Sequence, residues 1–541
     1  MKAIRRICRI ILMLSAAICI LVYFAASPLW EGPRNKINQQ PEESPAAMVR
    51  AGFNRETVYK DIECPELGFR ISVPENMTVD DSLAAAFIRI KGNGMDIRLS
   101  REVSPYDGID SYIDTYLYKY MLDPDYRKAN NITLLKNEFR EIDGIRTKLI
   151  AFTRKPVTGS SEKQQYYCHA LFITGAKEFY CCFIRYDQPG QQEEIIERIL
   201  ASFGKIETKG EAVNKTTLKP KLTDWNAETL AFYRSLKASN TIKWGIFYPN
   251  SLTGDFSRIE EMEKQLDYKF PITLHYIYLG HKFPTEGMKR AYERGKTVEL
   301  TMQVMWNIVP GNTDDKLKNL NFDLLDGSYD DYLRQFAREA KAFGHPFVFR
   351  LNNEMNSTWV RYSGIALLCD PDVYIQVWRH IYDIFAREGV NNAIWVFNPN
   401  DIDYPPMNWN SHISYYPGNG YVHLIGLTGY NTGTYYTSLT QENWRSFKAI
   451  YGPLSEKFSK AYGEFPWIIT EFACSSVGGD KEKWIRDMFR DIRSYRNIKA
   501  AVWWSYADYD TSRGKPGVPA RRYWLDEAPE YMKAFREGLK N

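Results

Sequence analysis

The sequence predicts an α/β protein: a (β/α)8 TIM barrel preceded by a smaller α+β sandwich domain. Three observations predict it. From residue 239 to 541, short β-rich runs alternate with amphipathic helical stretches, the pattern of eight β-α units in about 300 residues. From 61 to 205, strand-like runs follow one another with few helices between them, as in a mostly antiparallel layer. Two of the barrel runs end on carboxylates, Glu354 in HPFVFRLNNEMN (345–356) and Glu471 in PWIITEFA (466–473). Barrels collect their reactive groups where strands end and loops begin.

In chain order, residues 1–27 read as a membrane segment. Lys2, Arg5, Arg6 and Arg9 precede residues 10–26, an apolar run interrupted only by Ser15. The run is short for a spanning helix but within range. Basic residues ahead of it favour a cytoplasmic N-terminus with the bulk of the chain extracellular. The expectation is a single N-terminal anchor in the cell membrane. The alternative is a cleaved signal peptide and a secreted protein, although Pro28 after Ala25-Ala26-Ser27 opposes cleavage. Residues 28–60 are rich in Pro, Glu, Gln and Asn and read as a tether.

In the 61–205 unit, FRISVP, AAFIRI, MDIRLSREV, LLKNEFREI, RTKLIAFTR, YYCHALFIT and FYCCFIRY have strand-like composition. GIDSYIDTYLYKYM and QEEIIERILASF read as helices. No catalytic cluster appears there, so interaction or spacing is the expected role, with an unknown protein partner. Residues 206–238 read as a linker and lead-in helix.

The barrel strands expected are IKWGIFYP, ITLHYIYL, TVELTMQV, PFVFRLN, NAIWVFNP, LIGLTGY, PWIITEF and KAAVWWSY. Helical stretches between most of them include DFSRIEEMEKQLDY, GSYDDYLRQFAREAKAFG, DPDVYIQVWRHIYDIFAREG, QENWRSFKAIYGPLSEKFSKAY and DKEKWIRDMFRDIRSY, and PEYMKAFREGLK closes the chain.

Composition narrows the function classes. Hydrophobic content of 44% and charged content of 25% fit a globular protein with a full core. A net charge of +4 gives no support for nucleic-acid binding. Aromatic content is high at 15%; it suits a sugar-binding cleft, and a large core absorbs aromatics equally well. The 8 Cys show no CxxC or Cys/His metal spacing, and no HExxH occurs, so neither metal nor cofactor is implied. Cys168 and Cys182 flank a turn at Gly175 and read either as two buried thiols or as a cross-hairpin disulfide.

Strand alternation places the charges. In PFVFRLNNE, Phe347, Phe349 and Leu351 share one face and Arg350, Asn352 and Glu354 the other. Charges inside a barrel are costly unless paired or used, so the polar face reads either as a site or as a structural ion pair. Glu471 shares a face with Ile469 and can also point inward. Tyr430, ending LIGLTGY, stands where a hydroxyl can donate to a carboxylate. Trp503 and Trp504 end the last run; one of them faces inward, to stack on a sugar or to plug the barrel. Asp401, Asp403, Asp508 and Asp510 rank as loop or subsite residues. Two carboxylates at strand ends are what glycosidic bond cleavage needs.

The motifs add a resemblance. Arg350-Leu-Asn-Asn353-Glu354-Met355-Asn356-Ser-Thr-Trp359 is similar to the Arg-x-x-His-Glu-Met-Asn-x-x-Trp pattern of glycoside hydrolase family 26, one of the retaining clan A barrels. Asn353 takes the place of the usual His and restores the Asn-Glu pair of the clan. Thr470-Glu471-Phe472 matches the family's segment after strand seven, and Tyr416-Pro417-Gly418 with Tyr421-Val422-His423 matches the lead into strand six, His423 replacing an Asp. The resemblance covers the whole barrel. It implies a retaining β-glycosidase, mannanase-like, with Glu354 as acid/base and Glu471 as nucleophile. It further implies Asn353 on the 2-hydroxyl of the reacting sugar, Arg350 and Tyr430 orienting Glu471, and Asn356, Trp359, Trp503 and Trp504 among the substrate-binding or orienting residues. The substrate expected is a β-linked polysaccharide. A non-hydrolytic carbohydrate-binding or exopolysaccharide-assembly protein is the alternative.

Overall fold

The computed structural model describes residues 57–155, 164–305, 317–510 and 517–540. The anchor and most of the tether lie outside the described residues. Eight parallel strands close a barrel: β1 (Lys243–Phe247), β2 (Ile272–Tyr278), β3 (Thr297–Gln303), β4 (Phe347–Leu351), β5 (Ala393–Phe397), β6 (Leu424–Thr428), β7 (Trp467–Phe472) and β8 (Ile498–Trp504). Closure comes from β1 pairing with both β2 and β8. All eight expected strands form, because apolar runs covered by helices outside and side chains inside bury nearly every residue.

The helical layer holds α1 (Ser257–Leu266), α2 (Thr285–Glu293), α3 (Asp330–Phe343), α4 (Pro371–Arg387), α5 (Phe447–Tyr462), α6 (Lys481–Asp491) and α7 (Pro529–Lys540). The sequence reading did not single out α2, a short helix of which only Gly287, Met288 and Ala291 are buried. Between β5 and β6 the chain makes only short 3-10 turns, Asn408–Asn410 and His412–Tyr415. The lead-in helix is Ala227–Ala238, capped by the Asn226 side chain. Among the described residues no helix is long and apolar enough to cross a membrane.

The N-terminal unit is built on a seven-stranded antiparallel sheet whose central strands are Met95–Val103, Glu178–Tyr186 and Tyr166–Ile173. One face is covered by a three-stranded sheet (Tyr59–Cys64, Phe69–Pro74, Gly204–Lys205) and the helix Gln191–Ala201. Cys168 and Cys182 lie on neighbouring strands, two residues out of register, as free buried thiols; the disulfide does not form.

The other face carries an unexpected contact. Ile150, Phe152, Tyr167 and Phe183 share one apolar cluster with the helical segment 109–122 and with Ile365, Leu368, Met407 and Trp409 of the barrel. So the unit is packed onto the barrel loops rather than held off by its linker. Charged groups reinforce the contact. Asp372, in the first turn of α4, is ion-paired with Arg89 (2.9 Å), Arg98 and Arg185. Asp96 lies 3.2 Å from Arg185 in the same buried cluster. Glu102 clamps the loop after β5, accepting the backbone N–H of Asn408 at 2.7 Å and of Trp409 at 3.0 Å. Nothing local marked these partners, and those joining the two units stand some 190 to 310 residues apart in the chain.

Candidate active site

The barrel mouth is organised around Arg350. It points inward from β4 and is fully buried. Its Nη1 lies 3.1 Å from Glu471 Oε1, and its Nε lies 3.1 Å from Glu299 Oε1. Thr301 Oγ1 and Asn398 Oδ1 accept from it at 2.7 and 3.0 Å. The opposite face of β4 follows the alternation expected: Phe349 packs against Phe385 of α4 and Trp395 of β5.

Glu354 reaches the mouth by leaving the strand. β4 ends at Leu351, and Asn352 and Glu354 take left-handed backbone at φ 51° and 58°. Asn visits that region readily, while a Glu there costs about 1–3 kcal/mol that its surroundings must offset. Two bonds do so. The Glu354 N–H donates to the Asn398 carbonyl at 2.7 Å, and Asn352 Oδ1 accepts the Val304 N–H at 2.7 Å.

Glu471 is turned inward by a bulge. Alternation groups it with Ile469 and Trp467, but Trp467 points into the helical layer, donating its indole N–H to the Tyr462 carbonyl. The register against β6 slips between Leu427 and Thr428, so Thr428 pairs with Glu471. Thr470 and Glu471 then both face the interior: Thr470 Oγ1 sits 3.2 Å from Thr428 Oγ1, and Glu471 meets Arg350. Bulges of this kind re-aim side chains beside active sites.

Asn353 bridges the two carboxyls. Its Nδ2 donates to Glu471 Oε1 at 3.2 Å and to Glu354 Oε2 at 3.4 Å. One amide nitrogen thus touches both carboxyls, which brings them to the two sides of a single small site. The Asn353 Oδ1 is held by Gln303 Nε2 (3.0 Å) and the Tyr362 hydroxyl (3.2 Å), so the amide cannot flip without losing both bonds.

The surroundings of the two acids differ. Burial, then the charge of Glu471, pushes Glu354 up to about 8, against hydrogen bonds from Asn400 and Trp359. Burial also pushes Glu299 up to about 8. Burial thus biases both toward the protonated form. Three donors converge on Glu471: Arg350, Asn353 and the Tyr276 hydroxyl.

Several sequence expectations change here. The tyrosine that donates to Glu471 is Tyr276 on β2, while Tyr430 packs its ring against Tyr523 (5.2 Å) and Trp504 (6.2 Å). Asn356 is fully buried as a brace, donating to Asp403 at 2.7 Å and accepting the Asn400 N–H at 2.7 Å; Asn400 in turn donates to Glu354. Trp503 points outward, its indole N–H bonded to the Tyr523 carbonyl and its ring among Phe472, Trp484 and Phe535. It is no sugar platform. Trp504 faces the mouth, stacked on Phe247 at 5.2 Å. Trp359 donates to Glu354 Oε2 at 3.4 Å. His423 sits at the start of β6, buried, accepting the Trp395 N–H through Nδ1 at 2.9 Å, far from the mouth in role. Asp401 pairs with Arg445, Asp403 with Lys457 and Asp508 with Arg521. Among the described residues no group of three or more metal-ligating side chains converges.

Glu299, Gln303 and Tyr276 were missed. For the first two a signal existed: TVELTMQV alternates Glu299, Thr301 and Gln303 on one face, and all three meet the Arg350–Asn353 network. Tyr276 gave none. Losing one hydrogen bond to a charged group costs about 1.5–3 kcal/mol, so Tyr276→Phe is expected to lower kcat about 10- to 100-fold with KM little changed. Tyr430→Phe is expected to cost far less. Steady-state kinetics of the two variants side by side check this, and a larger loss in Tyr430→Phe reverses the assignment.

An eight-stranded parallel barrel with two buried carboxyls bridged at its mouth is the arrangement that double-displacement glycosidases require. Residues 304–498, which span β4 to β7, match the model of Glycosyl hydrolase family 26. The chain is 33% identical over 225 residues to Endoglucanase H of Acetivibrio thermocellus, covering 40% of this chain and 23% of that protein. It is 28% identical over 138 residues to a mannan endo-1,4-beta-mannosidase of Bacillus subtilis, covering 24% and 36% respectively. The chain thus spans a quarter to a third of the length of these curated relatives. Among solved structures, a Bacillus subtilis mannanase matches at 14% identity and a TM-score of 0.38, over 54% of this chain and 89% of its own. A modular endo-beta-1,4-mannanase from Cellulomonas fimi matches at 15% and 0.43, over 60% and 76%.

Proposed function

We propose that the protein is a retaining β-glycoside hydrolase acting on a β-linked polysaccharide of the mannan or β-glucan type. The observation that carries this is the Asn353 amide shared between a carboxyl held protonated and a carboxyl held by three donors. In the first step Glu354 gives its proton to the glycosidic oxygen as the carbon–oxygen bond breaks, and Glu471 attacks the anomeric carbon to form a glycosyl ester. In the second, Glu354 takes a proton from water, the water oxygen attacks the same carbon, and Glu471 leaves as a carboxylate. Two inversions give net retention. Arg350 and Tyr276 hold Glu471 in line, and bound substrate takes over, with its 2-hydroxyl, one of the two Asn353 N–H groups that otherwise serve the carboxyls. The printed names of the relatives, a mannosidase and an endoglucanase, support the substrate class. The basic, then apolar character of residues 2–26 supports placing the enzyme outside the cell on a membrane anchor.

One experiment tests both parts. The full chain is expressed, fractionated, and assayed on mannan, mixed-linkage β-glucan and xylan, with the anomeric form of the first product read by NMR. Activity in the membrane fraction releasing the β-anomer is expected. An α-anomer sinks the double displacement, and activity confined to the soluble fraction sinks the anchor.

A further inference from the structure

The N-terminal unit carries a partly exposed aromatic side chain, Tyr106, on the loop that follows its contact with the barrel. Tyr106 is 37% exposed and Tyr404 is 38% exposed, both unusual for large rings in this protein. Two exposed tyrosines are ordinary by themselves. What distinguishes these two is how they are held. Tyr106 lies four residues after Glu102, and Tyr404 lies four residues before Asn408, whose N–H the Glu102 carboxyl accepts at 2.7 Å. Asn408 Nδ2 also donates to the Arg101 carbonyl at 2.6 Å. One clamp therefore ties the loops that carry both rings to the same seam.

The loops that carry them are ordered. Ser104 Oγ donates to the Tyr106 carbonyl at 2.8 Å and accepts the Tyr106 N–H at 3.2 Å. The Tyr404 N–H donates to the Asn356 carbonyl at 2.8 Å, and Asn356 belongs to the brace behind Glu354. Tyr404 packs beside Trp359 with ring centroids 5.4 Å apart, and Trp359 donates to Glu354. The units also meet there through Tyr116, whose phenol lies near the Thr358 side chain, next to Trp359. Tyr116 is stacked on Tyr112 at 5.3 Å with Lys119 Nζ over its ring at 6.0 Å, and Tyr106 packs tilted against the same Tyr112 at 5.6 Å with part of its ring exposed.

We propose that Trp359, Tyr404 and Tyr106 form an aromatic rail along which a β-glycan chain runs from Glu354 outward, so that the N-terminal unit supplies a distal sugar subsite of the cleft. The inference rests on the glycosidase reading for its occupant. A β-linked pyranose presents a flat C–H face that stacks on exposed rings, and continuity from Glu354 through Trp359 makes the substrate chain the occupant. The unit is thereby a specificity element for polymers: short substrates end before Tyr106, and long ones reach it.

The test uses the full chain carrying Glu354→Gln, so that the polymer is not digested, with and without Tyr106→Ala and Tyr106→Phe. Affinity electrophoresis is run in gels containing mannan, mixed-linkage β-glucan or xylan. Retardation by at least one glycan is expected, about three- to tenfold weaker in Tyr106→Ala and restored in Tyr106→Phe. In parallel, Tyr106→Ala in the otherwise wild-type chain is expected to lower kcat/KM on the polymer and leave it unchanged on an aryl glycoside. Equal retardation of all three variants overturns the rail, as does retardation of none of them by any of the glycans. Tyr106-dependent retardation in a wild-type chain that cleaves nothing upholds the rail as a binding site and overturns the hydrolase reading. Cleavage indifferent to Tyr106 does the reverse.

Discussion

Glu471→Gln is expected to abolish hydrolysis of every substrate, while Glu354→Gln spares the first step on aryl glycosides whose leaving group needs no proton. The difference separates the roles. A nucleophile cannot be bypassed, whereas general acid assistance is worth about 10²–10⁴-fold and is dispensable for an acidic phenol. On polysaccharide both variants are expected to be inactive within detection. A burst of phenol followed by slow turnover in Glu354→Gln, seen by stopped flow, supports the assignment; the same burst in Glu471→Gln exchanges the two residues. The pH profile of kcat/KM supplies a second reading. Burial holds Glu354 near 8, so the basic limb is expected close to that value and is expected to vanish on substrates that need no acid.

The same group makes a stability prediction of definite sign. A carboxyl raised from 4.5 to about 8 on folding is protonated in the native state and ionised in the unfolded state between those values. The unfolded state then binds fewer protons, and stability falls as pH rises through that window, by about 1.4 kcal/mol per pH unit for each such group. Glu354→Gln removes one of them. Its melting temperature is expected to equal that of wild type near pH 4.5 and exceed it at pH 7. A variant no more stable at pH 7 places Glu354 in an ionised, well-solvated state, contrary to its buried setting.

Asp372→Ala is expected to be the most damaging change outside the carboxyl pair. Asp372 holds Arg89, Arg98 and Arg185, of which Arg98 and Arg185 are buried, and its removal leaves their charges to Asp96 and Asp370 alone. Breaking a buried ion cluster from one side costs about 3–5 kcal/mol. The damage is expected to travel to the site, because the loop between Glu354 and Asp372 carries Trp359 and Tyr362 and is sandwiched between the barrel and the N-terminal unit. Differential scanning calorimetry and limited proteolysis across residues 206–224 are the measurements. A lowered first transition with early cleavage there is expected, and unchanged melting with unchanged kcat refutes the coupling. Asp372→Asn, which keeps volume but not charge, is expected to fall between the two.

Much of this molecule was legible in its sequence, and the illegible remainder has a common cause. The eight barrel strands could be read because each is an apolar run bounded by helical periodicity, a signal contained within ten or fifteen residues. Arg350 could be placed inside the barrel because alternation holds along the five residues of β4. Glu354 and Glu471 could be named as a pair, but their aim could not be derived. One depends on a left-handed turn after the strand and the other on a register slip against β6, and alternation misplaces a residue at either. Tyr430 was credited with the bond that Tyr276 makes, since both are strand tyrosines and only barrel closure decides which hydroxyl meets Glu471. Trp503 and Trp504 were indistinguishable until the last strand took its rotation.

The local pattern of hydrophobicity therefore determined by itself the barrel and the antiparallel unit before it, and the motifs at the ends of two strands singled out the two carboxylates. Which donors those acids share, which of them keeps its proton, and that the N-terminal unit stands over the loop behind Glu354 were decided only by the tertiary structure. Hydrophobic periodicity is set by nearest neighbours along the chain. Burial, charge pairing and hydrogen-bond partnership depend on groups brought together from one to three hundred residues away, and no local signal encodes that distance.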